Sequence, residues 1–325
     1  MKEVEMKMLD RAKSLLESGE VARVIGWKKG DFCFDPTPAS FETVDELKDF
    51  TYDWFCGANL SKYLIQMSKK DGKTAVFLKP CDTYSFNQLV KEHRIAREKV
   101  YVIAVECLGK LNIESIKAKT DGIVESVSVV DKDVKVVTTS GEFTLYKPEV
   151  VLEKCAVCQK THQVKDEEII VHERPAKDVN RFAEVEKLEA MTAEERFAFW
   201  KGQLSKCIRC NACRNVCPAC SCIKCVFDNP QSGIAAKAND SDFEEKLFHI
   251  IRAFHVSGRC TDCGECSRVC PQNIPLHLLN RKFIKDIDSL YGEYQAGETS
   301  DGKTPLTSYT ENDAEPTEVV NGGAK

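Results

Sequence analysis

The sequence lacks three features that would each indicate a particular class of protein. No apolar run is long enough to span a membrane. There is no basic excess, since 46 Lys and Arg face 51 Asp and Glu for a net charge of −5, and this argues against nucleic acid as the main partner. The charged N-terminal segment has no apolar stretch typical of a secretion signal. We therefore predict a cytoplasmic protein that is soluble or bound peripherally to other subunits.

Cysteine, by contrast, is abundant, with 17 among 325 residues. Without a secretion signal, so many thiols indicate a reducing compartment and metal chemistry rather than disulfides. Two copies of one pattern, C-x2-C-x2-C-x3-C-P, contain eight of them. The first copy consists of Cys207, Cys210, Cys213, Cys217 and Pro218; the second consists of Cys260, Cys263, Cys266, Cys270 and Pro271.

This pattern is typical of 4Fe-4S clusters. Three cysteines at three-residue steps wrap one side of a cluster, and in two-cluster ferredoxins the fourth ligand comes from the other run. One predicted cluster is therefore bound by Cys207, Cys210, Cys213 and Cys270, and the second by Cys260, Cys263, Cys266 and Cys217. Zinc is the alternative, but structural zinc sites use pairs of C-x2-C and have no use for a third cysteine at the same step.

Hydrophobic periodicity outlines an N-terminal α/β domain. Val4, Met8, Ala12 and Leu15 predict a helix over residues 2–18. The other predicted elements are a strand at 21–27, a helix at 59–69, a βαβ unit with strands at 74–78 and 100–105 around a helix at 84–93, and an antiparallel ribbon at 122–146. Because a single helix joins the two βαβ strands, we expect them to be parallel neighbours.

The C-terminal part reads as helical. Thr192 and Glu195 form a capping box before a helix whose apolar face carries Phe197, Trp200 and Leu204. Ser241 and Glu244 form another, before a helix ending at Gly258. Its predicted apolar face consists of Phe243, Leu247, Ile250, Ile251 and Phe254. A third helix, with Leu278, Phe283 and Ile287, follows Pro275.

Together these elements predict an α+β protein. An N-terminal α/β domain over residues 1–175, with the βαβ unit and the ribbon, precedes an α-helical ferredoxin-like dicluster domain over residues 176–291. Residues 292–325 are polar and acidic, and we predict a tail that is disordered or ordered only against a partner.

Four further cysteines predict a third cluster in the N-terminal domain. Cys81 and Cys107 each follow a strand of the βαβ unit, and the carboxyl ends of parallel strands share one crevice. Asp82 is a candidate N-cap of the next helix, whose N-terminus would stabilise a thiolate. Cys155 and Cys158 supply two more thiols. The alternative makes Cys81 and Cys107 core residues, and Cys155 and Cys158 a redox pair or half of a zinc knuckle.

The remaining cysteines give weaker signals. Cys220, Cys222 and Cys225 follow the first run, either as part of a fourth metal site or packed beside a cluster. Cys33 and Cys56 are isolated, and we predict buried, inert thiols. His255 is either a donor to a cluster sulfur or a partly buried helix residue.

These motifs resemble known families. The Cys81 motif (Leu78-Lys79-Pro80-Cys81-Asp82), the Cys107 motif (Val105-Glu106-Cys107-Leu108-Gly109) and Cys155-x2-Cys158 resemble the β-subunit family of deazaflavin-dependent hydrogenases and formate dehydrogenases. The double run with its Cys217-Pro218-Ala219-Cys220-Ser221-Cys222 continuation is similar to the A subunit of anaerobic sulfite reductase and to dicluster subunits that feed heterodisulfide-reductase-type enzymes. The resemblance covers roughly residues 50–290. It implies an electron-transfer subunit of an anaerobic oxidoreductase complex, with Cys81, Cys107, Cys155 and Cys158 as cluster ligands.

Some members of that family bind FAD and reduce a deazaflavin themselves. Here no G-x-G-x-x-G follows a strand, and only Gly57-Ala58-Asn59 offers a helix N-terminus for a phosphate. We therefore expect a non-catalytic relay subunit. Its partners would be a flavoprotein handling NAD(P)H and a heterodisulfide-reductase-like or other metalloenzyme subunit. The alternative is a flavin-binding subunit that itself oxidises or reduces a soluble hydride carrier.

Overall fold

The computed structural model describes residues 1–159, 167–170, 178–229 and 242–307. The chain forms two compact units, a first of residues 1–86 and 93–179 and a second of residues 87–92 and 180–325. The domain boundary predicted at residue 175 lies within 171–177, outside the described residues. The class is mixed α and β, as expected.

The described strands form two sheets. They are β1 (Arg23–Lys28), β2 (Thr37–Phe41), β3 (Phe50–Thr51), β4 (Thr74–Leu78), β5 (Val100–Val105), β6 (Val124–Val130), β7 (Asp133–Thr138), β8 (Gly141–Tyr146) and β9 (Glu168–Ile170). The larger sheet has the order β2-β1-β4-β5-β9, with β3 paired to β1. The smaller sheet has the order β6-β7-β8.

The βαβ prediction is confirmed. β4 and β5 pair in parallel, with Thr74 opposite Val100 and Leu78 opposite Ala104. Every residue of β4 is buried, as expected for a central parallel strand with a continuous apolar run. Both strands therefore end at the same edge of the sheet, directly before Lys79 and Glu106.

The predicted ribbon is also confirmed, as three antiparallel strands. Val134 and Val136 alternate with exposed residues along β7, and both are buried in a small apolar cluster with Leu111, Ile116, Val124 and Val150. Asp131 takes a left-handed conformation (φ 51°) in the turn between β6 and β7. Asp tolerates this conformation better than most residues, because its short side chain hydrogen-bonds locally.

The described helices are mostly short. They are α1 (Lys2–Glu17), α2 (Leu64–Met67), α3 (Pro80–Lys91), α4 (Ile113–Lys117), α5 (Lys147–Val150), α6 (Glu153–Ala156), α7 (Ala183–Glu189), α8 (Ala193–Leu204), α9 (Ala212–Asn215), α10 (Asp242–His255), α11 (Glu265–Arg268) and α12 (Leu276–Tyr291). Short 3₁₀ helices span Asp45–Asp49, Leu60–Tyr63, Arg97–Lys99, Val226–Asp228 and Pro305–Thr307. Within the described residues, every helix falls short of the length or hydropathy of a membrane-spanning segment.

The three helices predicted in the first unit agree with the structure to different degrees. Helix α1 buries the predicted Val4, Met8, Ala12 and Leu15, as its 3.6-residue period requires. Helix α3 begins at Pro80, earlier than predicted, because proline is favoured in the first helical turn. Asp82 therefore lies inside the first turn rather than at the N-cap. The predicted helix at 59–69 is a 3₁₀ turn followed by α2.

In the second unit, α8 has the predicted capping box between Thr192 and Glu195. Of its predicted face, Leu204 is buried and Phe197 is exposed. Ser241 of the second capping box lies outside the described residues. The predicted apolar face of α10 is partly wrong: Ile251 packs against the core around Phe248, but Ile250 and Phe254 are exposed, while Phe248, His249 and Arg252 are buried. Gly258 takes the left-handed conformation (φ 70°) shortly after that helix.

Helix α12 buries Leu278 and Ile287 as predicted. The residues after it are described as far as 307, and among them Ala296 and Thr304 are buried. The Arg181 guanidinium donates to Gln295 Oε1 at 3.1 Å and holds this segment to the start of the second unit. The remainder of the predicted tail, from residue 308, lies outside the described residues.

Candidate metal centres

Four cysteines line one cavity in the second unit. They are Cys207, Cys210 and Cys213 of the first run and Cys270 of the second. Phe248, Ile274 and Leu276 form apolar parts of its wall. The structure therefore brings together the crossed set that the spacing predicts.

The two runs have the same backbone conformation. The third residue of each run is left-handed, with φ 54° at Arg209 and 56° at Asp262. The fifth residue is left-handed as well, with φ 62° at Asn211 and 66° at Gly264. For residues other than glycine this conformation costs about 1–2 kcal/mol each, so it persists only where the surroundings enforce it. In the second run, Arg281 Nε donates to the Asp262 carboxylate at 3.1 Å.

This backbone directs N–H groups to sulfur. The N–H of Arg209 donates to Cys207 Sγ at 3.4 Å, and the N–H of Ile274 donates to Cys270 Sγ at 3.5 Å. From α12, Asn280 Nδ2 donates to Cys266 Sγ at 3.7 Å. In iron–sulfur proteins, hydrogen bonds to the ligand sulfurs are among the features that set the potential of a cluster.

Cys217 lies beside the second run, as predicted. It is buried with Ala219 and Val256, and Cys260 and Cys220 pack against this group. Burial, followed by the charges of Asp262, Cys217 and Cys263, raises the pKa of Cys260 well above its ordinary value. At Cys217 itself, a hydrogen bond from the Cys220 side chain, helped by the Arg252 charge, lowers the pKa to about 5 despite burial.

Arg252 is a buried cation that interacts with both sets of cysteines. Its Nη2 donates to the Cys213 carbonyl at 3.1 Å. Burial opposes its charge, but the thiolates of Cys217, Cys266, Cys220 and Cys213 outweigh burial and raise the pKa of the guanidinium. A charged group on α10 was missed by sequence reasoning, which assigns polar residues to the solvent face. Arg252 lies eight residues before Cys260, and no recognisable sequence motif includes both residues.

The histidine singled out by sequence is not the one near the cysteines. His255 is exposed, which contradicts both interpretations of it. His249, six residues earlier on α10, is buried and lines the cavity of Cys207, Cys210, Cys213 and Cys270. His277 is also buried, and its Nδ1 lies 2.7 Å from Ser267 Oγ within the second run.

In the first unit, the four scattered cysteines come together at the edge where β4 and β5 end. Cys81 is in the first turn of α3, Cys107 follows β5, and Cys155 is in α6. Burial, then the Asp82 charge, raises the pKa of Cys81, and Cys158 contributes in the same direction. Burial raises the pKa of Cys155 to about 11, although Lys154 opposes this, and Cys107 and Cys158 add to it. Each thiol thus lies within electrostatic reach of another.

Three lysines surround this group, and two are 1% exposed. Lys79 Nζ donates to Ala58 O at 2.6 Å and to Asp82 Oδ2 at 2.7 Å. Lys110 Nζ donates to Asp53 O at 2.6 Å and lies 3.9 Å from the Tyr52 ring centroid. The third, Lys154, donates to Gly57 O at 3.3 Å.

These contacts bear on the predicted phosphate site at Gly57-Ala58-Asn59. The carbonyls of Gly57 and Ala58 accept from lysines, and Asn59 Oδ1 accepts from the Ser61 N–H at 3.0 Å. The helix there is a four-residue 3₁₀ turn. A cap already satisfies one of the N–H groups that a phosphate would use.

The donors fit iron–sulfur clusters. Each set offers four thiols, the preferred ligands of such clusters, and each has buried cations to balance negative charge. Among the described residues, no three His, Cys, Asp or Glu side chains converge closely enough to hold a single metal ion. In a 4Fe-4S cluster each thiolate binds a different iron, so the four sulfurs are spaced around the cluster and do not converge on a single metal position.

The unassigned cysteines are divided between surface and interior. Cys33 is exposed, so the prediction that it is buried is wrong. Cys56 is fully buried, and its Sγ lies 3.4 Å from Asp53 Oδ1. Beyond the first run, Cys222 is exposed, Cys225 packs against the core around Phe248, and Cys220 contacts Cys217.

The chain is similar to known iron–sulfur and formate dehydrogenase proteins. The family model of the 4Fe-4S dicluster domain matches residues 203–274, which contain both runs. The F420-dependent formate dehydrogenase subunit beta of Methanocaldococcus jannaschii is 24% identical over 86% of this chain and 88% of its own length. The F420-dependent formate dehydrogenase 1 subunit beta of Methanococcus maripaludis is 25% identical over 66% of this chain and 72% of its own length.

Two further similarities are narrower. Putative ferredoxin-3 of Sinorhizobium fredii is 33% identical over 24% of this chain and 75% of its own length. A chain of the F420-reducing [NiFe] hydrogenase complex from Methanosarcina barkeri is 16% identical to this chain. The similarity covers 48% of this chain and 63% of the hydrogenase chain. The TM-score of that pair is 0.35, too low to support a structural argument.

Proposed function

We propose that this chain, an iron–sulfur subunit related to the β-subunits of deazaflavin-dependent formate dehydrogenases and hydrogenases, relays electrons through three 4Fe-4S clusters in a multi-subunit oxidoreductase. The observation that carries the proposal is the single cavity lined by Cys207, Cys210, Cys213 and Cys270. A cavity built from both runs is what a crossed two-cluster domain requires.

Two clusters belong to the second unit. Cluster A is bound by Cys207, Cys210, Cys213 and Cys270, and cluster B by Cys260, Cys263, Cys266 and Cys217. The apolar wall of the cluster A cavity keeps water away, and Arg252 places a positive charge near cysteines of both sets. Since reduction adds negative charge to a cluster, a buried cation favours the reduced form and raises the potential.

The third cluster, cluster C, belongs to the first unit and is bound by Cys81, Cys107, Cys155 and Cys158. The support is the electrostatic proximity of the four thiols at one sheet edge and the three lysines around them. Burying lysine ammonium groups is costly unless negative charge lies nearby. Asp82 neutralises Lys79, whereas the Lys110 ammonium donates to a backbone carbonyl and interacts electrostatically with Cys107 and Cys56. A negatively charged cluster would compensate it.

In this proposal the chain contributes ligands, insulation and charge, and bound clusters supply one-electron chemistry. Electrons enter from a flavoprotein or other redox subunit and leave to a second subunit, such as a heterodisulfide-reductase-like metalloenzyme, in the cytoplasm.

An anaerobic redox titration followed by electron paramagnetic resonance tests the relay. Protein reconstituted with iron and sulfide should show three one-electron signals on stepwise reduction with dithionite. Two of them, from clusters A and B, should broaden each other, because crossed ligation holds those clusters close together. A preparation that contains metal but accepts no electron would refute the proposal.

A second candidate function is a flavin-bearing subunit that exchanges hydride with a soluble carrier. The observation that favours it is the extent of the similarity to subunits of F420-dependent enzymes, which covers 86% of the chain rather than the dicluster domain alone. Flavin absorbance in the supernatant of acid-precipitated protein would support this candidate. If the protein is fully loaded with iron and contains no flavin, the electron-relay function remains as the supported candidate.

A further inference from the structure

His249 occupies an unusual position for a histidine. It lies on α10, is 2% exposed, and lines the cavity of Cys207, Cys210, Cys213 and Cys270. Its ring packs edge-on against Phe248, with centroids 5.0 Å apart. Neighbouring Phe248 belongs to the apolar core of the second unit, so the helix fixes the His249 ring at the cavity wall.

The ring nitrogens of His249 lack partners in the protein. Neither Nδ1 nor Nε2 has a hydrogen-bond partner among the described residues. A buried polar group without a partner destabilises the fold, because it has lost its hydrogen bonds to water and gained none in return. Such a cost at a cavity lined by four thiols indicates that the partner is the group that fills the cavity.

The protonation state of His249 is set by its surroundings. Burial, followed by the charges of Arg252 and Arg209, lowers the pKa of the imidazole to about 3. Both arginines are themselves buried, at 3% and 5% exposure. An imidazole carries at least one N–H in its neutral and in its protonated form, so the His249 ring can donate a hydrogen bond to a sulfur in the cavity.

We propose that His249 donates a hydrogen bond to a sulfur of cluster A and thereby raises the potential of that cluster relative to cluster B. The inference rests on the proposed function, since it requires cluster A. It makes His249 a positioning residue that acts on the cluster through its sulfur. His277 is the contrasting case, because its Nδ1 already has Ser267 Oγ as a partner.

Two spectroscopic measurements on the full-length reconstituted chain test the proposal. In protein labelled with ¹⁵N-histidine, pulsed paramagnetic resonance of reduced cluster A should show a coupled ring nitrogen and a coupled proton that exchanges in D₂O. His249→Phe should lose both couplings and lower the potential of cluster A. His249→Gln keeps an N–H donor and should lose the ring-nitrogen coupling while largely restoring the potential. Should the Phe variant fail to fold, the Gln variant and the labelled wild type still give the answer.

His255→Phe is the matched control. It lies on the same helix but is exposed, so it should leave both the couplings and the potentials unchanged. Iron-loaded wild type without a coupled ring nitrogen would overturn this inference alone, and so would couplings that survive in both His249 variants. A chain that binds no iron would overturn the proposed function as well.

Discussion

The two cysteine-rich regions of this chain bring sets of four thiols together in different ways. In the second unit, consecutive runs wrap the proposed clusters with a repeated loop, and the fourth ligand crosses between the runs. In the first unit, four cysteines separated by up to 77 positions meet because two parallel strands end at one edge. The surrounding charge differs as well, with Arg252 and Arg209 around the runs and Lys79, Lys110 and Lys154 around the scattered set. A local motif and a tertiary arrangement thus give similar donor sets.

The largest predicted difference between the regions is how strongly the stability of each unit depends on bound metal. Apolar cores of the second unit contain the cysteines themselves, such as Cys213 and Cys266, whereas the first unit has a buried sheet. Removing iron with a chelator should therefore destabilise the second unit by several kcal/mol and leave β4 and β5 protected. Hydrogen exchange on holo and apo protein measures this. Equal loss of protection in both units would contradict the comparison.

The next largest predicted difference is which cluster is lost when cysteine ligands in each region are replaced. Cys155→Ser with Cys158→Ser should lower iron by about four atoms per chain while sparing clusters A and B. The matched variant, Cys260→Ser with Cys263→Ser, should also lose about four and spare cluster C. Iron and sulfide analysis on anaerobically reconstituted proteins gives the counts. Unchanged iron in the first variant would refute the assignment of cluster C.

The buried cations should shift potentials within their own unit. Lys110→Met should lower the potential of cluster C, and Arg252→Met should lower those of clusters A and B. Each shift should be on the order of 50–100 mV, because a unit charge roughly 8–15 Å away contributes about 1–2 kcal/mol at an effective dielectric constant near 20. Redox titration of both variants measures the shifts, and each serves as the control for the other. A shift of all three clusters in either variant would contradict the comparison.

The smallest effect concerns thiols outside the proposed clusters. Exposed Cys33 should react with iodoacetamide in the native protein, whereas buried Cys56 should not. Cys33 is exposed as a residue, but partial desolvation of its thiol, then the charge of Asp53, raises the pKa of that thiol, so its labelling should be slow near pH 7 and accelerate as pH rises and thiolate forms. Peptide mapping after labelling over a pH series measures both rates. Rapid labelling of Cys56 without unfolding would contradict its burial.

Sequence reasoning succeeded where apolar periodicity governs packing. The buried face of α1 follows from a pattern of period 3.6, and the parallel pairing of β4 with β5 follows from the strand–helix–strand order. It was partly wrong on α10, where Ile250 and Phe254 of the expected apolar face are exposed and the polar residues His249 and Arg252 are buried. Hydrophobic patterning assumes that polar residues face water. A helix packed against thiolates reverses that assumption, because the cysteines provide charge that a buried cation can pair with.

Native mass spectrometry of the anaerobically reconstituted chain tests the central claim most directly. The account predicts a mass increase equal to three 4Fe-4S clusters, falling to two in the Cys155→Ser, Cys158→Ser protein. A mass increase that corresponds to isolated zinc ions, or to no metal, would contradict it.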